Sequence, residues 1–253
     1  MADANEPILR VERLFKRFGG VNATDDLSLD VRRGEIHALI GPNGAGKTTF
    51  IGQLMGEIPP DAGRIQFEGR DLRALSTAAR VRGGLARTFQ ITQLLGEETA
   101  LANVALAVQA RQGHSFRFWR EAARDETLLA PARECLAAAG LGARAHVRVR
   151  EMSHGEHKQL ELAIALACKP RLLLLDEPMA GLGASESRDM VQALKGMKGS
   201  LSMLLVEHDM DAVFALADRV SVLVYGRIVA SGSPAQIQAD PQVRAAYLGE
   251  GDA

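Results

Sequence analysis

Three observations predict an α/β fold for this chain of 253 residues. The segments Ile36 to Ile40, Leu172 to Leu175, Met203 to Val206 and Val220 to Val224 are nearly continuous apolar runs, expected of strands covered on both faces in a parallel sheet. Between them lie helical patterns, with Leu160, Ala163, Ile164 and Ala167 on one face of a segment and Met190, Leu194 and Met197 on one face of another. Leu27, Leu29 and Val31, and later Ile65 and Phe67, alternate with polar residues as half-buried strands do. Strands alternating with helices place the core in the α/β class.

The first apolar run ends in Leu39-Ile40 and feeds Gly41-Pro42-Asn43-Gly44-Ala45-Gly46-Lys47-Thr48-Thr49, a G-x-x-x-x-G-K-T loop that should open a helix. The glycines let the backbone curl so that successive N–H groups and the helix N-terminus point at phosphates. Lys47 adds a positive charge for the β and γ groups, and the Thr48 hydroxyl is placed to meet Mg²⁺. Nucleotide triphosphate binding follows from this loop.

From about residue 91 to 152 strong strand patterns stop. The segment is rich in Ala, Leu, Arg and Glu, with helix-like stretches at Leu101 to Arg111 and Trp119 to Ala139, and it looks like a helical insertion. Ser115-Phe116-Arg117-Phe118-Trp119-Arg120 interleaves aromatics with arginines, as an RNA-stacking patch would. A helix start that buries Phe118 and Trp119 explains it more simply.

Composition narrows the classes. With 47% hydrophobic residues the chain can bury a substantial core, and a formal charge of −1 gives no general pull toward nucleic acid. Met1 to Pro7 lacks the basic start and apolar stretch of a secretory leader, and no segment approaches the ~20 apolar residues of a membrane span. Cys135 and Cys168 read as free thiols in a reducing compartment, so a cytoplasmic address is expected.

Leu172 to Leu175 ends in Asp176-Glu177-Pro178, two acids at a strand terminus that point in different directions. Asp176 is placed to hold Mg²⁺ through water, and Glu177 to face the γ-phosphate where an attacking water sits. Gln90, after Arg87-Thr88-Phe89, is a candidate for ligating Mg²⁺ or contacting that water. His208, after Val206-Glu207, is a candidate for reaching the γ-phosphate. Finally, Met152-Ser153-His154-Gly155-Glu156 precedes the helix that leads into the acidic strand, with Ser153 and Glu156 spaced as a capping box.

These elements, in this order, make the chain resemble the ATP-binding cassette (ABC) ATPases from about Leu9 to Ser231. The resemblance implies a P-loop NTPase with a RecA-like core. One domain would span 1–253: residues 8–90 and 156–253 form the core with an antiparallel β subdomain, and about 91–155 form an inserted α-helical subdomain. It also implies ATP and Mg²⁺ as cofactors, Phe18 as the aromatic that stacks on adenine, and a head-to-tail ATPase dimer. Across that dimer Ser153, the Gly155 backbone and Glu156 would meet the nucleotide held by the partner's phosphate loop. Two departures stand out: Met152 and His154 replace the commoner Leu and Gly, and Gly183 replaces the Asp or Asn usual in the dimer-contacting loop Ala180 to Gly183. The second removes a side chain that, in the family, helps link the two sites.

Arg87-Thr88-Phe89-Gln90, the long insertion, Val206 to Asp211 and Ala246-Tyr247-Leu248-Gly249-Glu250 are similar to the ATPases of branched-chain or hydrophobic amino-acid importers, specifically the one with the longer helical insertion. That likeness implies an ATPase pairing with itself or a sister subunit, two integral-membrane permease subunits and, indirectly, a periplasmic solute-binding protein. The chain would sit peripherally on the cytoplasmic face of the inner membrane. Importers of urea or aromatic acids, a lipopolysaccharide exporter's ATPase and a soluble non-transport cassette are the alternatives.

Overall fold

The computed structural model describes residues 6–88, 94–113 and 125–243. In chain order its elements are β1 (Pro7–Phe18), β2 (Val21–Arg32), β3 (Ile36–Ile40), α1 (Lys47–Met55), β4 (Ala62–Phe67), β5 (Arg70–Asp71), α2 (Thr77–Arg82), β6 (Leu85–Arg87), α3 (Ala100–Gln112), α4 (Glu126–Ala138), α5 (His154–Ala167), β7 (Leu172–Asp176), α6 (Ala184–Met197), β8 (Ser202–Val206), α7 (Met210–Leu216), β9 (Arg219–Val224), β10 (Arg227–Gly232), α8 (Pro234–Ala239) and α9 (Pro241–Val243). One sheet is antiparallel in the order β2–β1–β4–β5. The other runs β10–β9–β3–β8–β7–β6, parallel throughout except for β10 at its edge.

Every residue of β3, β7 and β8 is buried, and the pleat explains why. Successive side chains leave opposite faces of a strand. Leu39, Leu172, Leu174, Leu204 and Val206 enter a core shared with α1 and the antiparallel sheet, while Ala38, Ile40, Leu173, Leu175, Met203 and Leu205 enter a second core shared with α5, α6 and α7. Two cores demand apolar residues at nearly every position, and each fully buried Leu contributes roughly 1.5–3 kcal/mol. Phe50, Ile51, Leu54 and Met55 lock α1 into the first core. The loop between β3 and α1 is thereby held from both ends.

β1 carries no simple alternation because it is bulged. Leu9 and Val11 face the core, but the next core residue is Leu14, since Arg13 adopts φ 46° and the pairing with β2 shifts register between Val11 and Leu14. The Arg13 amide is satisfied by the Ser28 hydroxyl at 2.9 Å.

Between 94 and 153 the described residues form helices, with one isolated bridge between Thr99 and Arg148. α3 is capped by Thr99 and buries Leu101, Val104 and Val108; α4 buries Leu128, Leu129, Ala132 and Leu136. The helix expected from Trp119 is seen from Glu126, capped by Asp125, while residues 119–124 and the aromatic–arginine run at 115–120 lie outside the described residues. α5 packs against α3, α4 and α6 and touches β6, so it links the insertion to the sheet. Cys135 and Cys168 are both free and half-buried.

Candidate nucleotide site

The loop after β3 is built from conformations and spacings that only glycine meets. Gly46 has φ 107°, and a Cβ there would lie 2.0 Å from the Ala23 carbonyl oxygen; one on Gly41 would lie 2.1 Å from that of Leu223. Gly44, at φ 80°, borders open space. The Gly226 amide in the β9–β10 turn donates to the Ala45 carbonyl at 2.9 Å, fastening the loop to the sheet. α1 begins at Lys47 with no side-chain cap, which leaves its first amides for an anion. Lys47 is buried, and its ammonium donates to the carbonyls of Gly41 at 2.5 Å and Pro42 at 3.1 Å. Burial holds its pKa below the usual lysine range, opposed by the charges of Glu177 and Asp176. Pro42, Asn43 and Thr48 are exposed and Thr49 is half-buried.

The two acids diverge. Asp176 ends β7 with its side chain 1% exposed and accepts from Arg87 on the neighbouring strand at 2.8 Å. Glu177 has φ 49°, a left-handed conformation rare for a residue with a Cβ, and its amide is fixed to the Val206 carbonyl at 2.8 Å. This turn carries Glu177 toward His208, whose Nδ1 is 3.9 Å from Glu177 Oε1 and 3.8 Å from Glu207 Oε2. Glu207 is fully buried and accepts the amides of Met179, His208 and Asp209 at 2.7, 2.9 and 3.2 Å. It ties the loop after Glu177 to the loop bearing His208. Neither Glu207 nor Arg87 belongs to a local motif; for Glu207 the one sequence signal is an acid directly after a buried strand. Gln90 lies outside the described residues.

Phe18 ends β1 with about half its surface exposed, and Lys16 Nζ sits 5.4 Å from its ring centroid. Ser153 caps α5 by accepting the Glu156 amide at 3.2 Å, and Glu156 returns the bond to the Ser153 amide at 2.8 Å. The Glu156 carboxylate also pairs with Arg144 at 2.6 Å. Its pKa lies below the usual range: burial raises it, but Arg144 and the Ser153 amide outweigh that. Thus Lys47, Asp176, Glu177 and His208 gather beyond the carboxyl ends of β3, β7 and β8, while Ser153 and Gly155 stand at the start of α5.

The ABC transporter family matches this chain over residues 24–180, more than half its length. The chain belongs to the ABC transporter family. It is one of that family's ATP-binding cassettes, and its fold is a P-loop NTPase fold. The branched-chain amino acid ATP-binding cassette transporter family matches residues 227–253. The cassette is 35% identical to the high-affinity branched-chain amino acid transport ATP-binding protein LivG of Salmonella typhimurium, over 97% of this chain and 99% of that protein. It is 34% identical to BraF of Pseudomonas aeruginosa, which bears the same description, with the same coverage. Among solved structures, an ATP-binding cassette of an ABC transporter in its ADP conformation superposes with a TM-score of 0.84 at 30% identity, covering 97% of this chain and 100% of that one. Among the described residues, no helix is long and apolar enough to cross a membrane.

Proposed function

We propose that this cassette hydrolyses ATP to power uptake of branched-chain or other hydrophobic amino acids through an importer. The observation that carries the chemistry is the convergence of Lys47, Asp176, Glu177 and His208 at adjacent strand ends. The match over 227–253 favours the import branch over a lipopolysaccharide exporter.

Lys47 would leave the Gly41 and Pro42 carbonyls for the β and γ phosphates, with the amides from Gly44 to Thr49 donating around them. Phe18, exposed on β1, would stack on adenine. One buried carboxylate, Asp176, and one hydroxyl, Thr48, suit Mg²⁺, which fills most of its shell with water and phosphate oxygens; Gln90 would add an amide ligand. When bound, Mg²⁺ neutralises phosphate charge. Glu177 would hold the attacking water and take its proton, while His208, 3.9 Å from Glu177, would contact the γ-phosphate. Phosphoryl transfer gains mostly from such positioning and charge stabilisation.

Ser153 and the Gly155 amide would complete the site across a dimer, donating to a γ-phosphate held by the partner cassette. That partner is a second copy or a sister ATPase. On the helical insertion, Leu101, Leu128 and Leu129 line a groove flanked by the exposed Leu95 and Leu106, and this groove would receive a permease chain at the cytoplasmic face of the inner membrane. A periplasmic solute-binding protein would deliver the amino acid.

In membrane vesicles carrying the assembled transporter, Glu177→Gln should retain ATP binding but lower ATP-driven leucine uptake at least about 100-fold. Undiminished uptake would contradict this reading.

A further inference from the structure

The start of α5 already holds an anion, and that anion belongs to this chain. Glu186, in the first turn of α6, places Oε1 3.0 Å from the Ser153 hydroxyl and 3.1 Å from the Gly155 amide, both of which donate to it. Its Oε2 accepts the Gly183 amide at 3.1 Å. Capping α6 requires only the bond to Gly183. The other two reach a different helix. Contact is close there, since a Cβ on Gly155 would lie 2.5 Å from Glu186 Cδ, so the missing side chain is what admits the carboxylate. The Gly183 amide, the Ser153 hydroxyl and the Gly155 amide, in that order, hold the Glu186 carboxyl below its usual range; slight desolvation opposes them and nearby His154 assists.

Ser153 and Gly155 are the donors assigned above to the partner's γ-phosphate, and this inference rests on that assignment. We propose that Glu186 is a built-in stand-in for the γ-phosphate: it occupies the α5 donors in the separated cassette and must swing away before an ATP-bound dimer closes. Two anions cannot share the same donors, because like charges a few ångströms apart repel strongly where water is excluded. The exchange favours a nucleotide that reaches α5. ATP replaces the bonds Glu186 gives up, whereas ADP ends one phosphate short and leaves Glu186 in place. The Gly183 amide, bonded to the other carboxylate oxygen, serves as the pivot. Glu186 is therefore a positioning residue that raises the ATP concentration needed for closure.

The test uses the Glu177→Gln cassette, paired with whichever cassette it joins in the assembled transporter, and reads the ATP concentration for half-maximal association by sedimentation. Adding Glu186→Gln removes the charge but preserves the helix cap, because Gln serves the same position. The midpoint should fall about tenfold or more, the worth of one charge-assisted hydrogen bond. ADP affinity of the single cassette should not change. Glu186→Ala should lower the midpoint too; were Glu186 only a cap, it would instead lower the melting temperature and raise or leave the midpoint. An unchanged or raised midpoint in both variants, with normal ADP binding, overturns the stand-in and leaves the cassette reading intact. If the Glu177→Gln parent never associates on ATP, the dimer reading fails and this inference falls with it.

Discussion

Arg87 on β6 donates to Asp176 at the end of β7 across 2.8 Å, with side chains only 10% and 1% exposed. A second guanidinium nitrogen reaches Glu57 at 2.9 Å. Asp176 is therefore a buried carboxylate whose charge is balanced by the neighbouring strand. Taking one partner from such a pair leaves an uncompensated charge, so Arg87→Ala should lower the unfolding free energy by about 3 kcal/mol in urea titrations. A loss below ~1 kcal/mol would mean that solvent already compensates Asp176.

Phe18 ends a braced strand. Asp61 accepts Lys16 Nζ and the Arg17 amide, each at 2.8 Å, fixing the strand end that presents the ring. Removing a base-stacking ring costs ~1–3 kcal/mol, so Phe18→Ala should weaken ATP binding by about tenfold or more, and Phe18→Trp should largely restore it. Equal dissociation constants for Phe18 and Ala would take this residue out of the base site.

His37 lies at the other end of the sheet, 1% exposed, with Nδ1–H donating to the Asp30 carbonyl and Nε2 2.8 Å from the Ser221 hydroxyl. Burial lowers its pKa to about 4, reinforced by the Arg219 charge. The unfolded chain binds this proton more readily than the folded one. The resulting stability is complete above about pH 6.5, declines as the pH falls toward 4, and amounts to roughly 3 kcal/mol from this residue. Replacing His37 with Gln should flatten the stability profile between these limits. An equally steep profile would assign the dependence to other groups.

What could be read in the sequence was set by how far each feature depends on distant contacts. β3, β7 and β8 were legible because a strand between two cores must be apolar at nearly every position. The Gly41–Thr49 loop was legible because its glycines answer to local conformation and close backbone approach. β1 was obscured by the bulge at Arg13, which breaks the two-residue period. Arg87 and Asp176 are 89 positions apart, and Glu186 and Ser153 are 33 apart. Neither pairing leaves a local signature: Arg87 reads as a strand residue, and Glu186 as an acid in the first turn of a helix.

The most direct measurement is the ATP-bound structure of the complete transporter carrying Glu177→Gln. Ser153 Oγ should lie about 3 Å from a γ-phosphate oxygen of ATP held by the phosphate loop of the opposite cassette, with Glu186 turned away. A nucleotide enclosed by a single cassette, with Ser153 still bonded to Glu186, would contradict the account.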